Sequence, residues 1–264
     1  MWYLLACSSS VLETRIAIDE IEVVWSLVKG GTFEMGEPDP RFDSYPPHTV
    51  QLTNAYWMMQ TEVTQELYQA IMQDNPSATI NPAHPVERVS WIRSVLFANA
   101  MSRALGLEEC YDTTVPAAVV WTDGFDCSGI RLPTEAEWEW AALGGHLQSK
   151  WRGETTYAGG NALSAVGWYK MNSGNQHHPV GERSPNELYL YDLTGNVSEW
   201  VWDGYEAYTA EATVDPYTKT PNMNRVNRGG GWPDDIDDQD LKRRATDGYD
   251  YAFDWVGIRL VRSQ

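Results

Sequence analysis

From Leu143 to Gln264 the chain shows no helical periodicity, yet it is rich in Trp, Gly, Asn and Asp. This half constrains the fold more than any other feature. Large aromatics need burial, while Gly, Asn and Asp punctuate a chain with turns. The second half is therefore expected to fold as short strands joined by long, ordered loops, and the helices to lie in the first half. The fold class that follows is α+β. Thirteen Trp and fourteen Tyr against five Phe rule out a disordered chain, and 264 residues suffice for one domain with a real core. The formal charge of -18 disfavours non-specific nucleic-acid binding, which needs Lys and Arg to neutralise phosphate. No apolar run approaches the ~20 residues of a membrane span.

The first half is legible element by element. Val23 to Val28 reads as a strand, and the glycines at 30, 31 and 36 suggest a hairpin or tight turn next to it. Thr49 to Met59 reads as one aromatic strand. Thr64 to Met72 has helical spacing with Thr64 as N-cap, and Ser90 to Leu105 is a helix capped by Ser90 and stopped by Gly106. Thr134, with Glu137 three residues on, forms a capping box for a short helix to Ala142. Glu135, Glu137 and Glu139 occupy alternate positions of that helix and are not expected to converge as a paired-carboxylate site.

Leu4-Leu5-Ala6-Cys7 resembles a bacterial lipobox, with Ser8 to Ser10 beginning a polar tether. Residues 1–20 are therefore set apart as an N-terminal anchor and tether, with Cys7 the candidate lipidation site and residues 21–264 one domain. The six residues before Cys7 lack the basic start and apolar stretch of a full signal peptide. Cys110 and Cys127 bracket a turn-rich stretch and suggest a disulfide, the alternative being two reduced buried thiols. A lipid anchor and a disulfide both imply an extracytoplasmic location.

Several segments, in order, resemble the formylglycine-generating-enzyme-like family, also called the sulfatase-modifying-factor domain. They include Gly30-Gly31-Thr32-Phe33-Glu34-Met35-Gly36, Pro85 to Trp91, Arg131 to Glu139, Gly195-Asn196-Val197-Ser198-Glu199-Trp200, Arg228-Gly229-Gly230-Gly231-Trp232 and Gly257-Ile258-Arg259-Leu260. The resemblance implies a C-type-lectin-like fold with little regular secondary structure. The family's oxidases use two cysteines and a copper ion, and the matching positions here are Asp234 and Gln239. Neither is a soft thiolate ligand, so the resemblance implies a non-catalytic member, with a formylglycine-generating-type oxidase as the alternative.

The segment 233–255 lies between two family-like anchors and resembles the variable region of diversity-generating retroelement target proteins. Those systems mutate adenines of asparagine-type codons, which gives residues such as Asp, Tyr, Gly, Ala and Thr. Gln239, Lys242 and Trp255 do not fit that origin and count as scaffold. Tyr and Trp offer rigid contact area, and Asp and Thr adaptable polar contacts, as in antibody loops. The candidate ligand-binding residues are Asp234, Asp235, Asp237, Asp238, Asp247, Tyr249, Asp250, Tyr251, Phe253 and Trp255. The expected partner is a protein or a cell-surface ligand. An ordinary surface loop on a scaffold lipoprotein is the bland alternative.

By the same resemblance, a structural calcium ion would take the carbonyls of Thr194, Gly195 and Val197 and the carboxylate of Glu199. Oxygen donors of this kind suit Ca²⁺. The alternative is that Glu199 pairs with an arginine. His48, His84, His146, His177 and His178 show no helical metal spacing and are assigned structural or exposed roles.

Overall fold

The computed structural model describes residues 11–18, 20–148, 155–219 and 223–264, and the backbone of residues 3–6. Alternating buried and exposed residues place Leu12–Ile18 (β2) on the core with Ile16 and Ile18 inward. This strand pairs antiparallel with Ile21–Val28 (β3), Thr14 opposite Trp25 and Ile16 opposite Val23. Tyr3–Ala6 (β1) adds outside β2. The sheet then runs from β3 through Tyr56–Met59 (β6) and Val261–Ser263 (β15) to Ile130–Arg131 (β9). The boundary at residue 20 is thus corrected: residues 3–6 and 12–18 are strands of the domain's largest sheet, and β2 shows an apolar alternation that a tether would not need. Cys7 lies outside the described residues.

Gly31–Met35 (β4) pairs with His48–Leu52 (β5) rather than with β3, and Thr213–Val214 (β11) joins β5 in parallel. The chain changes sheet at Gly30, where a Cβ would lie 2.4 Å from the Leu52 carbonyl oxygen. The run from Thr49 to Met59 likewise splits into β5 and β6, which belong to different sheets. Tyr111–Asp112 (β7) and Val120–Trp121 (β8) form a small ribbon, and the Cys110–Cys127 disulfide closes the loop that carries it.

The third sheet carries the candidate site. Its order is Arg244–Gly248 (β13), Asn224–Arg228 (β12), Ser198–Gly204 (β10) and Val256–Ile258 (β14). β10 is buried along its whole length, as expected of a strand covered on both faces. Gln65–Met72 (α1), Trp91–Ala104 (α2) and Glu135–Ala142 (α3) begin where their capping residues Thr64, Ser90 and Thr134 predict. The box at Thr134 is complete, with Glu137 N donating to Thr134 Oγ1 at 3.1 Å and Thr134 N to Glu137 Oε2 at 2.9 Å. Leu163–Val166 (α4) is a single turn.

Three of the buried tryptophans bond the backbone as well as fill the core. Trp91, Trp200 and Trp202 are buried, and each donates its indole N–H to a backbone carbonyl, of Val201, Val89 and Thr218 respectively. Long loops carry carbonyls that no ladder satisfies. An indole fills volume and supplies the missing donor, which a phenyl ring cannot. Arg131, Arg228 and Arg259 are also fully buried. Arg259 spans Glu199 and the carbonyls of Met59, Gln60 and Tyr191, so one guanidinium joins three segments.

Candidate functional site

Arg228 closes β12 and fixes the floor of the site. Its guanidinium meets Glu135 at 3.1 Å and also binds Glu139, one helical turn further along α3. The expectation that the three glutamates of α3 would not converge is corrected here. Glu135 and Glu139 are four residues apart and share a face, whereas Glu137 turns away to Arg131 at 2.6 Å. Burial pushes the Glu139 carboxyl up, and Arg228 opposes that push.

After Arg228 the glycines let the chain turn sharply. Gly229 and Gly230 have φ of 99° and 67°, and a Cβ on Gly230 would lie 2.8 Å from the Asp238 carbonyl oxygen. Asp234 and Gln239, the two positions that match the oxidase thiols, both hold Gly231. Asp234 Oδ2 accepts from its N–H at 2.8 Å, and Gln239 Nε2 donates to its carbonyl at 2.9 Å. The segment is closed at its far end by Trp232, whose Nε1 donates to the Asp254 carbonyl at 2.9 Å. These residues do not fit a copper–thiolate centre: a carboxylate and an amide stand where soft sulfur is required.

The segment folds over β10 and β12 and leaves a cleft of about 190 Å³. Its walls include Asp234, Asp238, Asp247 and Trp255, with Ser198 and Asn227 beneath. Arg243 and Arg244 also line it, but Arg243 is bound to Glu37 and Arg244 holds Glu135 through two bonds of 2.8 and 2.7 Å. Burial, then the neighbouring Asp238 and Asp235, raise the Asp234 carboxyl, and burial raises that of Asp247. The cleft is thus acidic, with one aromatic wall.

The expected residues divide into four groups. Asp234, Asp238, Asp247 and Trp255 meet in the cleft. Asp235 and Asp237 stand exposed beside it, Asp235 bound by Lys170 Nζ at 2.7 Å. Tyr249 and Phe253 pack partly against the core, while Asp250 and Tyr251 are exposed on the turn after β13. Tyr251, Phe253 and Trp255 form a ladder of rings, 6.2 Å and then 4.8 Å between centroids, that continues the cleft wall outward. Of the assigned scaffold residues, Gln239 is fully buried and Trp255 is 36% exposed. Ser198, Asn227 and the Glu135–Arg228–Glu139 cluster were not assigned to the site from sequence; only the spacing of the glutamates gave a signal.

The carboxylate assigned to calcium is already committed within the protein. Both oxygens of Glu199 accept from Arg259 at 2.7 to 3.0 Å, and Oε2 also takes the Trp138 indole at 2.7 Å. Arg259, fully buried, takes this carboxylate as its counter-charge. No group of three or more His, Cys, Asp or Glu among the described residues is arranged for a metal. Of the histidines, His84 and His177 are buried with their Nδ1 atoms 2.8 Å apart, and burial pushes His84 down to about 4. His178 stacks on Trp168 at 3.7 Å.

Short strands, ordered loops and a cleft built at one sheet end define an α+β domain of the formylglycine-generating-enzyme-like C-type-lectin fold. The chain belongs to the family described as sulfatase-modifying factor enzyme 1-like domain, whose model matches residues 19–264. Treponema denticola variable protein 1 superposes with a TM-score of 0.86 at 30% identity, over 96% of this chain and 99% of that one. The chaperone protein LppX of Paenibacillus barcinonensis is 32% identical over 98% of this chain and 94% of its own length. A formylglycine-generating enzyme of Thermomonospora curvata is 30% identical over 70% of this chain, and the match spans 53% of that enzyme.

Proposed function

We propose that this protein is a non-catalytic ligand-binding member of its family, and that residues 233–255 are a diversified recognition segment. The observation that carries the reading is the fate of the two oxidase positions: Asp234 and Gln239 both serve to hold Gly231 and so shape the cleft. The likeness to a variable protein over nearly both chains supports it. The ligand would be a protein or cell-surface group that contacts the cleft acids and the Tyr251–Phe253–Trp255 ladder. The Cys110–Cys127 disulfide supports an extracytoplasmic location.

Two measurements test this. The genome should hold a reverse transcriptase gene and a near-repeat of the 3′ coding end that differs at adenines. Incubation with copper and a cysteine-containing peptide should leave the cysteine unchanged; a formylglycine product would overturn the non-catalytic reading.

A further inference from the structure

Arg131, Arg228, Arg243 and Arg244 share one arrangement: a guanidinium lies over a ring and meets a glutamate. Arg131 Cζ is 5.0 Å from the Trp121 ring centre and its guanidinium pairs with Glu137; Arg228 Cζ is 5.3 Å from Trp138 and its guanidinium pairs with Glu135 and Glu139. Arg243 covers Phe42 and pairs with Glu37, and Arg244 Cζ is 4.1 Å from Tyr208 while its guanidinium pairs with Glu135. Ring and carboxylate act together here, because a guanidinium is weakly hydrated, stacks on an aromatic face and still pairs in its own plane.

The recognition cleft has the ring and the carboxylates of this arrangement without the arginine. Trp255 forms one wall, and Asp234, Asp238 and Asp247 stand around it. These groups are open to solvent: Trp255 is 36% exposed, Asp238 is exposed, and Asp234 and Asp247 are half-buried. Among the described residues no Arg or Lys stacks on Trp255 or on the Phe253 and Tyr251 rings that continue it. One oxygen of each half-buried acid is committed to the framework, Asp234 Oδ2 to the Gly231 N–H and Asp247 Oδ2 to the Asn227 amide at 3.0 Å.

The arginines in the walls do not answer these acids. Arg228, Arg243 and Arg244 are matched by Glu37, Glu135 and Glu139, and Lys170 Nζ is held by Asp235 beside the cleft at 2.7 Å. The local surplus is therefore negative and lies against an aromatic face. The volume of about 190 Å³ equals about six waters at ~30 Å³ each, room for one arginine side chain.

We propose that this cleft receives an arginine of a protein partner, its guanidinium lying on the Trp255 ring and pairing with Asp247 and Asp234. The inference rests on the reading of residues 233–255 as a recognition segment and sharpens it. Trp255 does not fit the codon origin of the changeable positions, so its ring is the constant anchor and the acids around it set the strength of the contact.

The test uses the full chain and N-acetyl-arginine methylamide. Two companion probes are the lysine compound, which keeps the charge, and the citrulline compound, which keeps the planar head and loses the charge. Saturation-transfer NMR titration at low salt should show the arginine probe binding, the lysine probe about threefold more weakly, and the citrulline probe not at all. Trp255→Ala should weaken the arginine probe about fivefold, and Asp247→Asn, which keeps an acceptor for Asn227, about threefold. Tm shows whether each variant is folded, and Asp247→Asn decides the matter if Trp255→Ala does not fold. Glu206 is an exposed acid of a second cleft, on the other side of Arg244, and Glu206→Gln should bind like the parent. The proposal is overturned if the arginine probe does not bind, if the lysine or citrulline probe binds equally well, if folded Trp255→Ala or Asp247→Asn binds like the parent, or if Glu206→Gln weakens binding as much as Asp247→Asn. Failure of the recognition reading shows elsewhere, as a formylglycine product or a genome without the adenine-directed repeat, so the two failures are told apart.

Discussion

The arginines beneath the site and the acids around it sit within one small region but obey opposite rules. Arg228, Glu135 and Glu139 are buried, and each charge faces its counter-charge. Asp235, Asp237, Asp238 and Asp250 are exposed, where water screens them and a change costs little. The floor thus has almost no freedom of composition, and the face above it has a great deal. A recognition surface of changeable content needs this division, because the groups that fix backbone position are not the groups that meet a ligand.

Breaking the floor should produce the largest effect. Arg228→Ala strands two buried carboxylates, and loss of one partner of a buried pair costs about 3–5 kcal/mol. Urea denaturation should show this loss or a chain that does not fold. Replacing Cys110 and Cys127 together by Ser should cost about 2–4 kcal/mol, typical of a disulfide, again by urea midpoint. An unchanged midpoint for either variant would erase the contrast between framework and face.

A pH series sharpens the same contrast. Burial holds the Asp203 acid up at about 7 and that of Asp192 at about 6, both above the values expected in the unfolded chain. Between about pH 4 and pH 7 the folded protein therefore keeps protons that the unfolded chain has released. Stability from these groups is full below that window and is lost as the pH rises through the folded values. Tm should fall from pH 5 to pH 7.5, and Asp203→Asn should flatten the slope. The smallest effect belongs to the face: Asp250→Ala and Tyr251→Ala should each lie within about 0.5 kcal/mol of the parent.

What could be read in the sequence depended on distance along the chain. The caps at Thr64, Ser90 and Thr134 were legible because each acts within three residues. The division of Thr49–Met59 between two sheets was not, because the corner depends on the approach of Gly30 to Leu52. The acidic segment was legible as a candidate surface from its composition and its flanking motifs. Which of its acids share a cleft was not, since β13 sets that by pairing with β12, Asp247 opposite Arg225 and Ala245 opposite Asn227. The ion pairs of Arg228 bridge 93 and 89 residues, and no local pattern reports them. The pairing of Glu199 was hidden for a related reason: the motif around it is local, but the arginine that claims its carboxylate comes from 60 residues away.

The bond from Trp232 to Asp254 brings the two ends of the recognition segment together, and a Cβ on Gly231 would lie 3.0 Å from the Trp255 carbonyl oxygen. The segment leaves and re-enters the framework through one narrow gate. For a flexible loop with fixed ends, doubling the length costs only about 0.6 kcal/mol of closure entropy. A graft of different length, joined at Trp232 and Asp254, would still have to keep Asp234 and Gln239 on Gly231, the buried Leu241, Arg243 and Arg244, and the pairing of β13 with β12. The domain is in this sense a socket: the ends and the framework contacts of the segment are fixed, and room for change lies at its exposed positions, such as Asp235, Asp237 and Asp250.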